Sequence, residues 1–358
     1  MLPVYAYFTE WGGNARHMHD SGAAAAVTHL IYSFGDIVDG KAVITDPHAS
    51  HERRHPAAES VDGQDAPGGH FEQLRRLKKL HPHLKVVYSF GGWVLSPGFT
   101  QAAKNPELFA DSAYDLLHDP RWADVFDGID IDWEYPNATG IETDTSGPEA
   151  YPRLIKALRE RFGSELVTSA IGAGAQDGGV LDSGGYGEAA PYIDAYLLMT
   201  YDFANGNDRV TLPHSPLRDY DGNPKAPASA DTSVRKLLSL GVPASKIYLG
   251  LGLYGRGWSG VEEGAPGAEA TGVATGDSDP GAASYRWLRE HAAPTGTVGG
   301  AAYHYSNGDW WSFDTPETVG AKMAYVRENG LGGAFYWESS LDTEDAELTK
   351  AIRAGLDQ

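Results

Sequence analysis

Eight short apolar runs alternate with helical patterns along the chain, and that alternation restricts the fold more than any other feature. The runs are Val4–Phe8, His29–Phe34, Lys85–Phe90, Gly128–Trp133, Leu166–Ile171, Ala195–Thr200, Lys246–Leu251 and Gly332–Trp337. Phe71–Leu80, Pro106–Leu117, Tyr151–Phe162, Thr232–Leu240 and Pro316–Asn329 carry apolar residues at helical spacing. For the last of these, Asp314 or Thr315 is the N-cap candidate and Gly330 the stop. Strand–helix alternation builds parallel sheets. Eight such units fit a closed α/β (β/α)8 TIM barrel better than an open sheet. Such a barrel needs roughly 250 residues, so the 358 present allow one barrel domain over 1–358 with insertions. Two stretches are long: 35–69, which is polar, and 257–310, rich in Gly, Ala and Glu and read as a small α+β subdomain inserted between strands 7 and 8. A barrel carries its site at the C-terminal ends of its strands, so both stretches are expected to wall that face.

The fourth run reads Asp127-Gly-Ile-Asp130-Ile-Asp132-Trp-Glu134-Tyr-Pro136. Alternate residues of a strand share a face, about 6.8 Å apart. Asp130, Asp132 and Glu134 therefore point into the barrel, and Ile129, Ile131 and Trp133 point into the helix layer. Acids stand where a packed core belongs. Like charges this close do not all ionise cheaply, so at least one carboxyl must hold its proton to higher pH. A carboxylic acid kept protonated near neutrality is what a glycosidase uses as its general acid.

Other readings of the sequence are weaker. The spacing lacks the Asp-x-Asp-x-Asp-Gly order and the twelfth-position glutamate of a calcium loop. Gly250-Leu-Gly252-Leu-Tyr-Gly255 matches a dinucleotide fingerprint, but a Gly- and Glu-rich loop follows it instead of a helix. Histidines 17/19, 51/55 and 81/83 form no zinc pattern and read as surface residues. No metal and no cofactor are expected. The net charge is −21, from 28 basic and 49 acidic side chains, which disfavours nucleic acid and anionic membranes as partners and favours a neutral or cationic ligand. There is no cysteine, and therefore neither a disulfide nor thiol chemistry. No run of about 18 apolar residues exists to span a bilayer. The sequence shows no signal peptide and opens almost directly on a strand.

At the acidic strand the sequence also becomes recognisable. DGIDIDWEYP resembles the catalytic signature of family 18 glycoside hydrolases, Asp-x-x-Asp-x-Asp-x-Glu. Ser89-Phe-Gly91-Gly92-Trp93 is similar to that family's third-strand motif, and Met199-Thr-Tyr201-Asp202-Phe to its sixth-strand motif. Tyr254-Gly-Arg256-Gly-Trp resembles the seventh-strand motif, and Phe335-Tyr-Trp337-Glu the final strand. The motifs fall in family order along nearly the whole chain. The wording of PRWADVFDGIDIDWEYPNA and NGDWWSFDTPETV is similar to that of secreted bacterial chitinases of the actinobacterial type.

The resemblance implies a retaining chitinase that cuts β-1,4-N-acetylglucosamine linkages with the substrate's own acetamido group as nucleophile. In that scheme Glu134 protonates the glycosidic oxygen and later acts as base. Asp132 orients the acetamido N–H and stabilises the oxazolinium charge. Asp130 shares a proton with Asp132. Tyr201 bonds the acetamido oxygen, and Asp202 contacts the distorted sugar and raises the acid's pKa further. Trp337 floors the −1 sugar and Trp93 lines a neighbouring subsite. Tyr7, Trp11, Ser89, Gly91, Gly92, Met199, Tyr254 and Arg256 complete the expected substrate-binding set. Partners implied are chitin and chito-oligosaccharides, for a secreted monomer whose leader is not in this chain. Two departures bear on the leaving-group side. Ala204, Asn205 and Gly206 stand where a bulky residue is usual, and Leu95 where a second aromatic is common. The alternatives on the same fold are an endo-β-N-acetylglucosaminidase acting on N-glycans and a chitin-binding lectin. The long 257–310 stretch argues against the first, and the presence of Glu134 against the second.

Overall fold

A computed structural model describes residues 1–358. Its barrel strands are β1 Val4–Thr9, β2 His29–Val38, β3 Lys85–Gly91, β4 Gly128–Asp132, β5 Leu166–Gly172, β6 Ala195–Met199, β7 Ile247–Gly252 and β8 Gly333–Trp337. Every neighbouring pair is parallel, and β8 closes onto β1 with Val4 opposite Ala334. The expected (β/α)8 barrel is the observed one.

β2 is the strand that departs most from expectation. It runs on to Val38 and folds back on a strand at Lys41–Ile44, with Gly35 opposite Ile44 and Val38 opposite Lys41. The turn is Asp39-Gly40, both at positive φ (52° and 74°), the dipeptide that matches the twist of a two-residue hairpin. Ile37 and Ala42 bury the inner side. A helical turn at His48–Glu52 follows, so 35–69 is largely organised. His55 in this stretch is buried against His70, and His51 stacks on Trp122 with ring centroids 4.9 Å apart. Neither is the free surface histidine expected, because the stretch folds down onto helix Gly69–Leu80.

The helix layer includes Gly69–Leu80, Pro106–Leu117, Ala150–Phe162, Ala230–Ser239, Pro316–Glu328 and Glu347–Leu356. Thr315 caps helix Pro316–Glu328 through a reciprocal box with Thr318, and proline occupies the first turn. Ile129, Ile131 and Trp133 join the large core between strands and helices, with Trp133 stacked on Phe99. Inside the barrel a separate apolar plug is built from Tyr5, Tyr7, Ile31, Val87, Leu197, Tyr248 and Phe335.

Between β7 and β8 lies an antiparallel sheet with strands Tyr254–Ser259, Gly272–Val273, Ala282–Ser284, Gly296–Val298, Ala301–Ser306 and Asp309–Phe313, and a helix Tyr285–His291. Alternation splits its last strand. Trp310 faces Trp258 on one side, and Trp311 and Phe313 pack with Leu288 on the other. The sheet starts at Tyr254 and ends at Phe313, wider on both sides than 257–310, because the paired strands extend back to the barrel rim.

Where this sheet returns to the barrel, Asp314 and Lys322 form a buried ion pair at 2.6 Å. Asp314 also accepts from Ser215 Oγ (2.9 Å) and Thr318 Oγ1 (2.8 Å). Removing one member of such a pair strands the other. Asp314→Ala is expected to lose about 3–5 kcal/mol in urea unfolding. Lys322→Met is expected to lose less, since the carboxylate keeps both hydroxyl donors. Equal losses would contradict this account of the pair.

Candidate active site

The geometry at the acids follows from strand register. Residue 130 of β4 lies opposite Ser89 of β3 and Thr168 of β5. Paired residues share a face, so both hydroxyls meet the Asp130 carboxylate: Ser89 Oγ donates to Oδ2 and Thr168 Oγ1 to Oδ1, each at 2.6 Å. From β1, Tyr7 Oη donates to Oδ2 at 3.0 Å. Both oxygens are taken, and no hydrogen bond joins Asp130 to Asp132. The charge of Asp130 adds to the rise in the pKa of Asp132, so the two carboxyls are electrostatically coupled. Tyr7 and Ser89, expected at the substrate, have at most 1% of their surface exposed and instead hold Asp130.

One layer up, residue 132 lies opposite Gly91 and Ala170. Neither offers a side-chain donor. Asp132 Oδ1 is buried with no hydrogen-bond partner. Gly91 holds φ at 104°, and a Cβ there would stand 2.2 Å from the Asp132 carbonyl oxygen. Its glycine thus lets β3 approach β4. A Cβ at Gly92 would meet the Phe34 ring at 2.6 Å. Ser96 clamps the next peptide, accepting from Glu134 N–H at 2.7 Å and donating to the Asp132 carbonyl at 3.1 Å.

The four carboxyls separate electrostatically. Burial raises the pKa of Asp130, and its three hydroxyl donors offset that only in part. Burial, then the charges of Glu134 and Asp130, push Asp132 well above the usual carboxylate range. Burial lifts Glu134 to about 7 against a hydrogen bond from Tyr135, with Asp202 adding to the rise. Asp202 goes the other way. Burial would raise it, but His214 and Arg256 outweigh burial and hold it below the usual range. The Arg256 fork is bidentate, Nε to Oδ1 at 2.7 Å and Nη2 to Oδ2 at 2.8 Å. A full positive charge does what three neutral hydroxyls do not. Asp202 is thus the anion, and Asp132 and Glu134 titrate as a pair that resists ionisation.

Aromatic residues surround this group. Trp337 is half-buried, stacked on Phe34 (5.7 Å, 14°) and beside Tyr7 (5.2 Å). Trp11 is 65% exposed and Trp93 49% exposed, the latter edge-on to Tyr135. Tyr201 packs between Tyr254 and Phe335, and Met199 is half-buried at the same mouth. Tyr254 and Arg256 enter from the first strand of the antiparallel sheet. Sequence reasoning missed Ser96, Thr168 and His214. Thr168 was reachable from strand alternation once the register was known; the other two lie on irregular segments without periodicity.

A polar cavity of about 380 Å³ lies elsewhere, between Asn14, His17, Asp277, Arg286 and Glu344. Arg286 lies 3.2 Å and His17 Nδ1 3.7 Å from the Glu344 carboxylate there, and none of the motif residues lines it, so the acids at β4 remain the better candidate site. No group of three or more His, Cys, Asp or Glu is placed to hold a metal ion, and no helix is long and apolar enough to cross a membrane.

A folded-state pKa above the ordinary value means that the stability Glu134 contributes is full in acid and is lost as pH rises to about 7. Glu134→Gln and the unchanged protein are therefore expected to melt alike in acid, with the variant melting higher above about pH 7. Parallel melting curves at both pH values would remove the case for a protonated Glu134.

Residues 4–342 match the family model described as Glycosyl hydrolases family 18. The chain is 48% identical to Chitinase 63 of Streptomyces plicatus over 98% of this chain and 60% of that protein. It is 48% identical to Chitinase C of Streptomyces lividans over 95% of this chain and 57% of that protein. It therefore spans well under two thirds of these two relatives. It is 31% identical to Chitinase 1 of Aphanocladium album over 98% of this chain and 84% of that one. Among solved structures, the catalytic domain of psychrophilic chitinase B from Arthrobacter TAD20 aligns with a TM-score of 0.92 at 28% identity, covering 99% of this chain and 95% of that chain.

Proposed function

This chain belongs to glycosyl hydrolases family 18, and we propose that within it the protein is a chitinase, hydrolysing β-1,4-N-acetylglucosamine chains with retention through the substrate's acetamido group. The observation that carries the reading is the pair at the end of β4. Glu134 is held protonated to about 7, and beside it Asp132 has an oxygen with no protein partner. Its cross-strand neighbours are the small residues Gly91 and Ala170. The names of the Streptomyces relatives and of the Arthrobacter domain point the same way.

Glu134 gives its proton to the glycosidic oxygen as the C1–O bond breaks. The acetamido oxygen forms a bond to C1, giving an oxazolinium ion. Asp132 accepts the acetamido N–H and offsets the positive charge. Tyr201 donates to the acetamido oxygen. Asp202, fixed as an anion by Arg256, keeps Glu134 protonated until the transfer. Trp337 supplies the apolar floor under the sugar. Water then adds to C1 as the bond from C1 to the acetamido oxygen breaks, which restores the N-acetyl group, and the water gives a proton back to Glu134. Asp130 is buried beneath and acts through the charge it places under Asp132. Trp11 and Trp93, exposed on the rim, offer platforms for further sugars on a neutral polymer, to which a surface of net charge −21 is no barrier.

Hydrolysis of a fluorogenic chitobioside is expected to fall above about pH 7 as Glu134 ionises, and Glu134→Gln to abolish it. Asp132→Ala is expected to cost about 3–4 kcal/mol of transition-state stabilisation, on the scale of a lost charge-stabilising partner. Near-normal turnover in that variant would refute the assisted mechanism. An inverted product anomer by NMR would refute it too. Faster release from a glycoprotein N-glycan than from colloidal chitin would shift the substrate assignment.

A further inference from the structure

His214 is fully buried, yet neither ring nitrogen has a hydrogen-bond partner. A buried polar group left unpaired is costly, so an orphan imidazole calls for an explanation. Its surroundings narrow the choice. Nδ1 stands 3.8 Å from Asp202 Oδ1, too long for a hydrogen bond and within a small side-chain rotation of one. The ring lies 5.2 Å from that of Tyr254, and Arg256 holds both oxygens of the same carboxylate, Oδ1 included. The titratable and charged groups facing His214 are therefore Asp202 and Tyr254, with Arg256 acting through Asp202.

The backbone at 214 is held from two directions. His214 N–H donates to Ser312 Oγ at 3.0 Å, and its carbonyl accepts from Phe203 N–H at 3.0 Å. The first bond ties it to the last strand of the antiparallel sheet, and the second to the residue after Asp202. The next residue, Ser215, is bonded to Asp314 of the buried ion pair. A segment pinned this firmly presents its imidazole to one target.

We infer that His214 is a positioning residue for Asp202, its Nδ1–H closing onto the carboxylate when sugar fills the site and fixing that anion beside Glu134. This rests on the hydrolase reading above. Arg256 is the only group bonded to both oxygens in this structure, so a second donor from His214 would restrict the carboxylate further. The effect on turnover follows from fixing a charge where the acid needs it. It predicts loss in kcat more than in KM, because the contact tightens on the way to the transition state.

The test compares His214→Leu, His214→Asn and Asp202→Asn on the fluorogenic chitobioside. His214→Leu is expected to lower kcat by about ten- to hundredfold, the range of one hydrogen bond to a charged group, with KM nearly unchanged. Its alkaline limb moves to lower pH, since a loosened Asp202 supports the proton on Glu134 less well. His214→Asn keeps a donor and recovers most of kcat. In the Asp202→Asn background the Leu substitution has no further effect. Wild-type kcat and pH profile in His214→Leu, or an equal loss in the Asp202→Asn background, overturns the inference. Should the Leu variant fail to show a thermal unfolding transition, His214→Ala set against His214→Asn decides, and equal kcat in those two overturns it. A wild-type protein that leaves the chitobioside intact refutes the hydrolase reading itself; an active wild type with an indifferent position 214 refutes only the role of His214.

Discussion

The register of β4 between β3 and β5 sets the chemistry of this barrel. One register row gives Asp130 the hydroxyls of Ser89 and Thr168; the next gives Asp132 only Gly91 and Ala170. The difference is one step of the pleat. It makes the lower carboxyl a structural anchor and leaves the upper one with a buried oxygen that no protein group pairs. Burying three acids on one strand is tolerable because they are not treated alike. One is solvated by hydroxyls, and burial raises the pKa of the other two.

The fourth carboxyl completes the arrangement from another direction. Asp202 sits at the end of β6, and its counter-ion Arg256 arrives from the first strand of the antiparallel sheet. That sheet is thus part of the electrostatics as well as a wall. Its last strand leads into Asp314, whose ion pair with Lys322 and bond from Ser215 lock the 203–217 segment against Asp202. Stability and function meet here. The buried pair, expensive to desolvate, fixes the segment that faces the charged end of the site. The aromatic plug of Tyr5, Tyr7 and Tyr248 below the acids plays a matching part from the barrel floor, and Tyr7 does both jobs by packing its ring and donating its hydroxyl to Asp130.

The strands were legible because their apolar runs are short and bounded, and the acid ladder because alternation assigns faces without reference to any partner. The extension of β2 was hidden by its polar composition. Asp36 and Asp39 read as loop, and the Asp39-Gly40 turn went unused as a hairpin signal. Ser89 was expected at the substrate because it opens a family motif, and Tyr7 because it ends the first strand. Which of two inward layers a residue occupies depends on how strands stagger in the barrel, and that is absent from any single strand. Asp314 was a cap candidate by position, but a buried Lys322 eight residues on makes a stronger partner for a carboxylate than exposed backbone N–H groups do.

The sequence alone determined which residues point inward and which outward, and with them the barrel and its line of acids, since both follow from local periodicity. It also placed Glu134 at the end of that line. Only the tertiary structure decided which acid is satisfied, which is left free and which is held as an anion. Those outcomes depend on cross-strand neighbours, on Arg256 from a distant sheet and on His214 from an aperiodic segment. A carboxyl's proton affinity is set by the charges, dipoles and water around it, and these are brought together by the fold rather than by adjacency in the chain.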